Sequence, residues 1–276
     1  MTLTGIYKPV APVVPPGPAK GFAHPGCYLR PTNNCSRTIS GEHIVSRAIF
    51  EEFDFIEVDG APWLAPEEKR RIGVKSATAN VLCDRHNSAF SPLDTEAARF
   101  FRTHRDIGAD LNRKSLSRKS RAYLFSGATL ELWLLKVACG AFFSGSAARD
   151  RTRLSDHEFN IYAAIAAMYQ GHWMPNAGLY VKAVGQQIHA SDRVSFAPLT
   201  ADGEKRVCGY SVSVRGLIFD IVFDTTGLRP LPELGYFFRP PQIILTDHQR
   251  HHVIYLSWPG ASGQNNIQLT LSRKRS

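Results

Sequence analysis

Zinc-ligand residue types are concentrated near the start of this chain. Cys83 and His86 are separated by two residues, which is the spacing of a typical zinc-ligand pair. Cys27 and Cys35 provide a second pair upstream, and His24 with Cys27 forms a competing pair that also has two residues between its members. We favour Cys27 and Cys35, because thiolates bind zinc more strongly than an imidazole next to a proline. The spacing therefore predicts a structural zinc site on Cys27, Cys35, Cys83 and His86.

Charge and composition restrict the class of protein. The chain has 276 residues, with 33 Lys and Arg against 24 Asp and Glu, and a formal net charge of +9. This excess suits a polyanionic partner such as nucleic acid. No apolar run reaches the length of about 18 residues that a transmembrane helix needs, so no membrane association is expected. The N-terminus lacks the pattern of a secretion signal, so we expect a cytoplasmic protein with unpaired cysteines.

Proline content and hydrophobic periodicity divide the chain into four predicted regions. Residues 1–23 are Pro-rich and are predicted to form a disordered lead-in. Residues 24–105 form the cysteine-containing unit, and residues 106–175 form a helical region. Residues 176–276 contain short β-branched and aromatic runs separated by turn residues, which are typical of antiparallel strands. The sequence therefore predicts an α+β fold, with a small zinc-stapled unit followed by a helical region and a β-rich C-terminal part.

Three segments carry more detailed expectations. Residues 51–71 mix acids, Gly and Pro and are predicted to be a surface insertion. A helix is expected to start near Asn87 or just after Pro92. Residues 126–143 are apolar on nearly all sides, which indicates a buried helix with Ser126 as its N-cap.

An acid–histidine pair, Glu42-His43, lies between the two pairs of zinc ligands, and Asn87 directly follows the last ligand. This order resembles the zinc-bearing HNH endonucleases, which are also called ββα-metal or His-Me finger nucleases. The resemblance implies a ββα-metal unit in residues 24–105, with His43 as the general base. It also implies that Glu42 and Asn87 are the catalytic positions that bind a divalent cation. Glu42 stands where Asp is commoner in the family, and His86 stands where Cys is commoner.

The chemistry of phosphodiester hydrolysis agrees with these roles. A base must deprotonate water, and a neutral imidazole is suited to accept a proton near pH 7. Carboxylate and amide oxygens suit Mg²⁺ or Mn²⁺, which can stabilise the developing negative charge. In this interpretation the zinc is structural, because it joins two chain segments that are too short to form a core alone. The sequence thus predicts structural Zn²⁺ and catalytic Mg²⁺ or Mn²⁺.

The resemblance extends loosely beyond the cysteine-containing unit. The stretches VLCDRHNSAFSPLDTEA and SGATLELWLLKVACG resemble an arrangement that recurs in bacterial and phage-type HNH proteins. Trp133 and Lys136 lie in the second stretch and have no chemistry that the sequence alone reveals. Asp94 lies in the first stretch and is a candidate helper, although an acid near a helix start is also ordinary macrodipole chemistry.

The stretch 99–121, at the end of the predicted nuclease unit and after it, contains many more basic than acidic residues. We expect these basic residues to contact nucleic acid, most readily DNA, through its phosphates and with weak sequence dependence. Arg47, close after His43, is the best single candidate for holding the scissile phosphate. The full candidate set is Arg47, Arg99, Arg102, Arg105, Arg113, Lys114, Arg118 and Lys119.

Two functions therefore remain open from the sequence. The favoured one is a metal-dependent HNH endonuclease acting on DNA, of the phage or bacterial defence type. The alternative is a zinc-stabilised module that binds nucleic acid without cutting it. In either case the C-terminal region could support a homodimer or bind a partner protein.

Overall fold

The computed structural model describes residues 13–59, 68–112, 120–145, 148–149, 152–182, 193–201, 206–226, 236–246, 250–259 and 267–270. The strands are β1 (Ile39–His43), β2 (Phe55–Asp59), β3 (Lys69–Gly73), β4 (Thr78–Cys83), β5 (Ala122–Ser126), β6 (Ala148–Arg149), β7 (Thr152–Arg153), β8 (Gly178–Lys182), β9 (Arg193–Thr200), β10 (Val207–Val214), β11 (Leu217–Val222), β12 (Tyr236–Phe238), β13 (Gln242–Thr246), β14 (His251–Ser257) and β15 (Ile267–Thr270). The α-helices are α1 (Asp84–Asn112), α2 (Gly127–Phe143) and α3 (Ile161–Ile165). Short 3-10 turns cover Arg30–Thr32, Arg47–Phe50, Val74–Ser76 and Asp156–Glu158, and a π turn, Ala166–Gln170, continues α3.

An antiparallel pair of strands near the start of the chain leads directly into a helix. β1 pairs with β4, so that Ile39 faces Cys83 at one end of the pair and His43 faces Thr78 at the other. α1 begins at Asp84, the residue after β4 ends. The pair and the start of the helix are therefore adjacent, with β2 and β3 lying in sequence between the two strands.

The start of α1 differs from the sequence expectation. The helix begins at Asp84, before both expected start points, and it runs through Pro92. Proline lacks an N–H, so it removes one intrahelical hydrogen bond, but it does not end the helix here. Burial of one face explains why, since Phe90 and Leu93 beside the proline are almost completely buried. Tertiary packing outweighs the local preference at this position.

α2 lies in the hydrophobic core, as the sequence predicts. Ser126 accepts a hydrogen bond from the Thr129 backbone N–H at 3.1 Å, which confirms it as the N-cap. Residues 127–142 of the helix are buried with the sole exception of Thr129. Even Glu131 and Lys136 are only 2% exposed, so each needs an ionic partner inside the protein.

Two larger sheets join parts of the chain that the sequence assigns to different regions. A seven-stranded sheet has the order β12-β8-β11-β10-β9-β2-β3, and a four-stranded sheet has the order β15-β13-β14-β5. The parallel β2–β9 and β5–β14 pairs cross the predicted boundaries after residues 105 and 175. The strand content after residue 176 is confirmed, and so is the mixed α+β class.

The prediction of a surface insertion at 51–71 is wrong for β2, whereas residues 69–71 of β3 are exposed. β2 and β3 pair with each other and extend the seven-stranded sheet at one edge. Ile56 and Val58 of β2 are buried in the main hydrophobic core. Their alternation with exposed or half-buried neighbours gives β2 one core-facing side, which is the usual pattern of an amphipathic strand.

The predicted disorder of residues 1–23 is also wrong for residues 13–23, and residues 1–12 lie outside the described part. Val13 is buried, and its backbone N–H donates to the Met168 carbonyl at 2.9 Å. The Arg85 guanidinium donates to the carbonyls of Pro16 and Pro18 at 2.8 and 3.0 Å. Because proline-rich backbone keeps its carbonyls free, a single arginine can hold this extended segment in place.

Candidate metal centre and active site

Four buried side chains from three separate segments converge beside the start of α1. The His86 Nδ1 atom lies 3.1 Å from the Cys83 sulfur and 3.4 Å from the Cys27 sulfur. It lies 3.8 Å from the Cys35 sulfur, and all four ligand atoms fall within 4.8 Å of one another. Tetrahedral zinc would separate such sulfur and nitrogen atoms by about 3.5 Å, given its usual bond lengths. The predicted cluster is therefore confirmed as a group that could bind a metal such as zinc.

The orientation of His86 suits metal binding. Thr32 Oγ1 donates to the Leu29 carbonyl at 2.7 Å, so its lone pairs are available as acceptors. His86 Nε2 lies 3.2 Å from this hydroxyl and can donate its proton to it. The proton is then on Nε2, and the lone pair of Nδ1 faces the three thiols. A hydrogen bond at the ring nitrogen that does not bind the metal usually fixes the tautomer of a metal-binding histidine.

The local backbone brings the ligands together and selects among the candidates. Cys83 ends β4 and His86 lies in the first turn of α1, so their two-residue separation places both side chains at the same junction. The Ser36 backbone N–H donates to the Cys83 sulfur at 3.3 Å. The competing ligand His24 is not in the cluster, because its Nδ1 accepts from the Gly26 backbone N–H at 3.1 Å. The structure thus favours the pair that includes Cys35.

The thiols respond differently to their surroundings. Burial raises the pKa of Cys27, and burial also raises the pKa of Cys35. For Cys83 burial acts upward too, but hydrogen bonds from the backbone of His86 and Ser36 outweigh it and lower the pKa. Three clustered thiolates need a cation to offset both burial and mutual repulsion. The donor set of three thiols and one imidazole is the set that structural zinc prefers, so the residues present fit zinc.

A second cluster lies further along the β1–β4 pair and contains a buried ammonium between two carboxylates. The Lys136 Nζ atom, on α2, contacts the Glu42 carboxylate, on β1. It also donates to both carboxylate oxygens of Asp94, on α1, each at 2.7 Å. The side chains of Lys136 and Glu42 are 2% and 6% exposed, and that of Asp94 is 26% exposed. One cation therefore joins three elements, and its burial makes both partners necessary.

Two further polar groups complete this cluster. The Ser46 hydroxyl donates to Asp94 Oδ1, and the Trp133 indole N–H donates to the Ser46 oxygen at 3.1 Å. Trp133 is fully buried, so the serine satisfies an indole N–H that would otherwise lack a partner. Trp133 and Lys136 are three residues apart on α2 and therefore lie on one face of the helix. This face holds the segment after His43 against α1.

His43 ends β1 beside the second cluster and is half-buried. Its Nε2 atom is buried and has no hydrogen-bond partner in the part of the chain that the structure describes. Burial lowers the pKa of His43, and the nearby Arg47 guanidinium lowers it further, while the Val74 backbone and Asp94 act in the opposite direction. The imidazole is therefore neutral at pH 7 and can accept a proton.

Asn87 lies on α1 and contacts the strand that carries Glu42 and His43. Its Nδ2 donates to the Ser40 hydroxyl at 2.8 Å. This hydrogen bond connects the first turn of the helix to β1, so Asn87 holds the acid–histidine segment in position. The role of Asn87 as a ligand of a divalent cation stays a prediction.

The predicted nucleic-acid contacts divide into three groups. Arg99 pairs with Glu96 at 2.7 Å, and Arg102 pairs with Glu51 at 3.2 Å. Arg105 contacts three carboxylates, the nearest being Asp106 at 3.0 Å. These arginines are thus already neutralised, which reduces their attraction for phosphate. Arg47 is exposed and has no carboxylate partner among the described side chains. The remaining four candidates, Arg113, Lys114, Arg118 and Lys119, lie outside the described residues.

Sequence reasoning gave no role to Lys136, Ser46 or Trp133 and only a minor one to Asp94. One sequence feature pointed to these residues: the stretch around Asp94 and the Trp-Leu-Leu-Lys stretch of α2 occur together in the resemblance to HNH proteins. That pairing indicated a shared arrangement but not which side chains meet. A charged residue within an otherwise apolar helix was the second signal, because a buried lysine requires an acid.

No protein-family model, curated protein or solved structure matches this chain. Among the helices that the structure describes, none is long and apolar enough to cross a membrane.

Proposed function

We propose that this protein is an endonuclease of HNH type that hydrolyses phosphodiester bonds in DNA. The observation that carries the proposal is the position of His43. It ends β1, whose first residue pairs with the cluster ligand Cys83. Glu42 of the same strand contacts Lys136, which also binds Asp94 of α1. A neutral imidazole with an unpaired Nε2 on so constrained a strand is a suitable general base.

His43 would accept a proton from a water molecule that attacks the phosphorus atom. The lowered pKa of His43 keeps it in the required neutral form at pH 7. Arg47, exposed and close to His43, would bind the non-bridging oxygens of the same phosphate and offset their charge. Lys136 would act indirectly, by holding Glu42 and Asp94 so that the end of β1 keeps its orientation.

The zinc site would be structural. Its ligands come from the segment before β1, from the end of β4 and from α1, so a bound ion would join all three. Zinc bound by four protein ligands has no open position for substrate, and it contributes directly to folding. The chain's own part in catalysis would then reside in His43 and Arg47.

The predicted catalytic Mg²⁺ or Mn²⁺ fits this arrangement less well. Glu42 and Asp94 supply the carboxylate oxygens that such a cation needs, but both contact the Lys136 ammonium. The side chains as placed do not form an open site for a divalent cation, so the proposed cleavage step is assigned to His43 and Arg47. This same observation favours a second candidate function, a zinc-stabilised nucleic-acid-binding module without cleavage activity.

Cleavage of supercoiled plasmid DNA separates the two functions. The purified protein would be assayed with Mg²⁺, with Mn²⁺ and with EDTA, beside His43→Ala and with the zinc content of each sample measured. His251→Ala is a matched control, since His251 is exposed on β14 of the four-stranded sheet. The nuclease proposal expects nicking that His43→Ala abolishes and His251→Ala retains. DNA binding without any nicking on duplex or single-stranded substrates would instead support the binding module.

A further inference from the structure

A groove lined by basic and aromatic side chains begins at Arg47, four residues after His43. It has a volume of about 740 Å³ and is formed by the Arg47–Phe50 turn, the segment leading into β2 and the Val74–Ser76 turn. We call it the Phe55 groove, after the aromatic residue on β2 that lines it. Its volume is comparable to that of ordinary small-ligand sites, which span about 300–1,000 Å³.

Two cations line the Phe55 groove without acidic partners. Arg47 and Lys75 are both exposed, and neither forms an ion pair with a carboxylate in the described ranges. Glu51 also lines the groove, but its charge is offset by Arg102 and Arg105 outside it. Asp54 is the remaining carboxylate of the lining, so Arg47 and Lys75 together leave a net positive charge in the groove for an anionic group such as a phosphate.

Aromatic rings supply the second half of the argument. Phe55 is 48% exposed, which is unusual for a large apolar residue on a strand, and the Arg71 guanidinium of β3 lies 5.1 Å from its ring centre. Phe53 is half-buried and lines the same groove, with the Arg215 guanidinium 5.3 Å from its ring centre. The Asp54 carboxylate lies between them in sequence and can accept hydrogen bonds from the amino groups of a base. A partly exposed aromatic ring next to unpaired cations is the combination that binds unstacked bases.

The groove adjoins the proposed general base. Val74 lines it, and the backbone of Val74 interacts with the His43 imidazole. Arg47 belongs both to the groove and to the charged surroundings of His43. A nucleotide in the groove would therefore have its phosphate near His43.

We propose that the Phe55 groove binds an unpaired nucleotide next to the scissile phosphate, so that the substrate is single-stranded or locally unpaired DNA. The inference rests on the proposed nuclease function, whose substrate class it specifies. In a perfect duplex each base is stacked on its neighbours, and its faces cannot reach Phe55. An unpaired base can stack there while Arg47 and Lys75 hold the adjoining phosphates.

Binding measurements test the groove without requiring cleavage. Fluorescence anisotropy would compare a labelled single strand, the matching duplex and a duplex with a short central unpaired loop, all with the zinc-loaded His43→Ala protein and no added Mg²⁺ or Mn²⁺. We expect the single strand and the looped duplex to bind about tenfold more tightly than the perfect duplex, as stacking of one base allows. Phe55→Ala in the same background should remove most of this preference.

Matched substitutions separate the groove from general surface effects. Tyr162→Ala removes another exposed aromatic ring, which is 72% exposed and lies on α3, and it should leave the preference intact. Lys75→Ala should weaken binding of all three DNAs and reduce its salt dependence, whereas Lys69→Ala should not, because Lys69 lies near Glu57. Thermal unfolding would verify that each variant is folded.

The outcomes distinguish this inference from the proposed function. Equal binding of single strand and duplex, or equal effects of Phe55→Ala and Tyr162→Ala, would overturn the groove assignment even if the protein cuts plasmid DNA. A preference for unpaired DNA that depends on Phe55 would support the groove even if no cleavage occurs, and would then leave a binding module in place of the nuclease.

Discussion

Replacing Lys136 by methionine would test the cluster that holds His43 in place. Methionine preserves most of the length and volume of the side chain but removes its charge. Glu42, only 6% exposed on its side chain, would lose its buried counter-ion. Breaking a buried ion pair in this way typically costs about 3–5 kcal/mol, because the remaining charge stays unpaired in the interior. Asp94 is 26% exposed and can be hydrated, so we expect a loss near the lower end, about 3 kcal/mol.

The pH dependence of this loss identifies Glu42 as its origin. Burial raises the pKa of Glu42, and Lys136 acts against that increase. Without Lys136 the folded-state pKa would rise further above the unfolded value, so folding would favour the protonated carboxyl. Stability from a raised carboxyl pKa is present at low pH and lost as pH rises through the folded-state value. The variant should therefore lose more stability at pH 8 than at pH 5, relative to the unmodified protein.

Urea denaturation of the zinc-loaded proteins would measure both effects. The control is Lys69→Met, which removes a half-exposed lysine on β3 that lies 3.9 Å from Glu57 and should cost less than about 1 kcal/mol. Adding Glu42→Gln to Lys136→Met should recover part of the loss, because the unpaired charge is then absent. A loss from Lys136→Met no greater than that from Lys69→Met, at every pH, would refute the argument that a buried cation holds these elements together.

Three further predictions concern the base, the metal and acid stability. The acidic limb of the pH profile of kcat/KM for cleavage should lie below pH 6.5. Arg47→Gln should move this limb to higher pH, because Arg47 helps to lower the pKa of His43. A limb that does not move would exclude this coupling. Atomic absorption should find about one zinc per chain in the unmodified protein and in His24→Ala but much less in Cys35→Ser, and equal zinc loss in both variants would contradict the ligand set. Burial and the charge of Arg215 lower the pKa of His104 to about 4. The folded protein therefore keeps this imidazole neutral where the unfolded chain protonates it, so stability falls as the pH decreases from 6.5 to 4. That contribution is about 3 kcal/mol, and urea denaturation should show His104→Gln losing less stability than the unmodified protein between pH 7 and pH 4.5.

The metal cluster could be predicted from the sequence because its chemistry is local. Cys83 and His86 have two residues between them, and few residue types bind zinc, so few combinations of ligands were possible. The choice between His24 and Cys35 could not be settled by spacing. It depends on the turn before β1, where His24 accepts a backbone hydrogen bond and only Cys35 reaches the cluster.

The charged contacts could not be predicted, because they join residues that are distant in sequence. Lys136 meets Asp94 across 42 residues, and Arg102 meets Glu51 across 51 residues. Sequence pattern gives the number of charges but not the pairing between them. A run of arginines on α1 therefore indicated a phosphate-binding surface, although several of these arginines are neutralised by acids beside the helix.

Sheet topology was hidden for the same reason. The alternation of residues in β2 specifies a strand with one buried face, but it does not specify a parallel pairing with β9. The mixture of acids, Gly and Pro at 51–71 resembled a surface insertion because its turn residues dominate its composition. β2, within that range, carries the apolar residues Ile56 and Val58 that reach the core.

The single-turnover rate of DNA cleavage by the unmodified protein and by His43→Ala would show whether His43 is the general base. Both samples must contain equal amounts of zinc, so that any difference comes from the imidazole and not from the fold. We expect measurable cleavage that falls by about 10²–10⁴-fold in the variant, which is the usual contribution of a general base. Equal rates in the two proteins, or no cleavage of single-stranded, looped or duplex DNA by the zinc-loaded protein, would contradict this expectation.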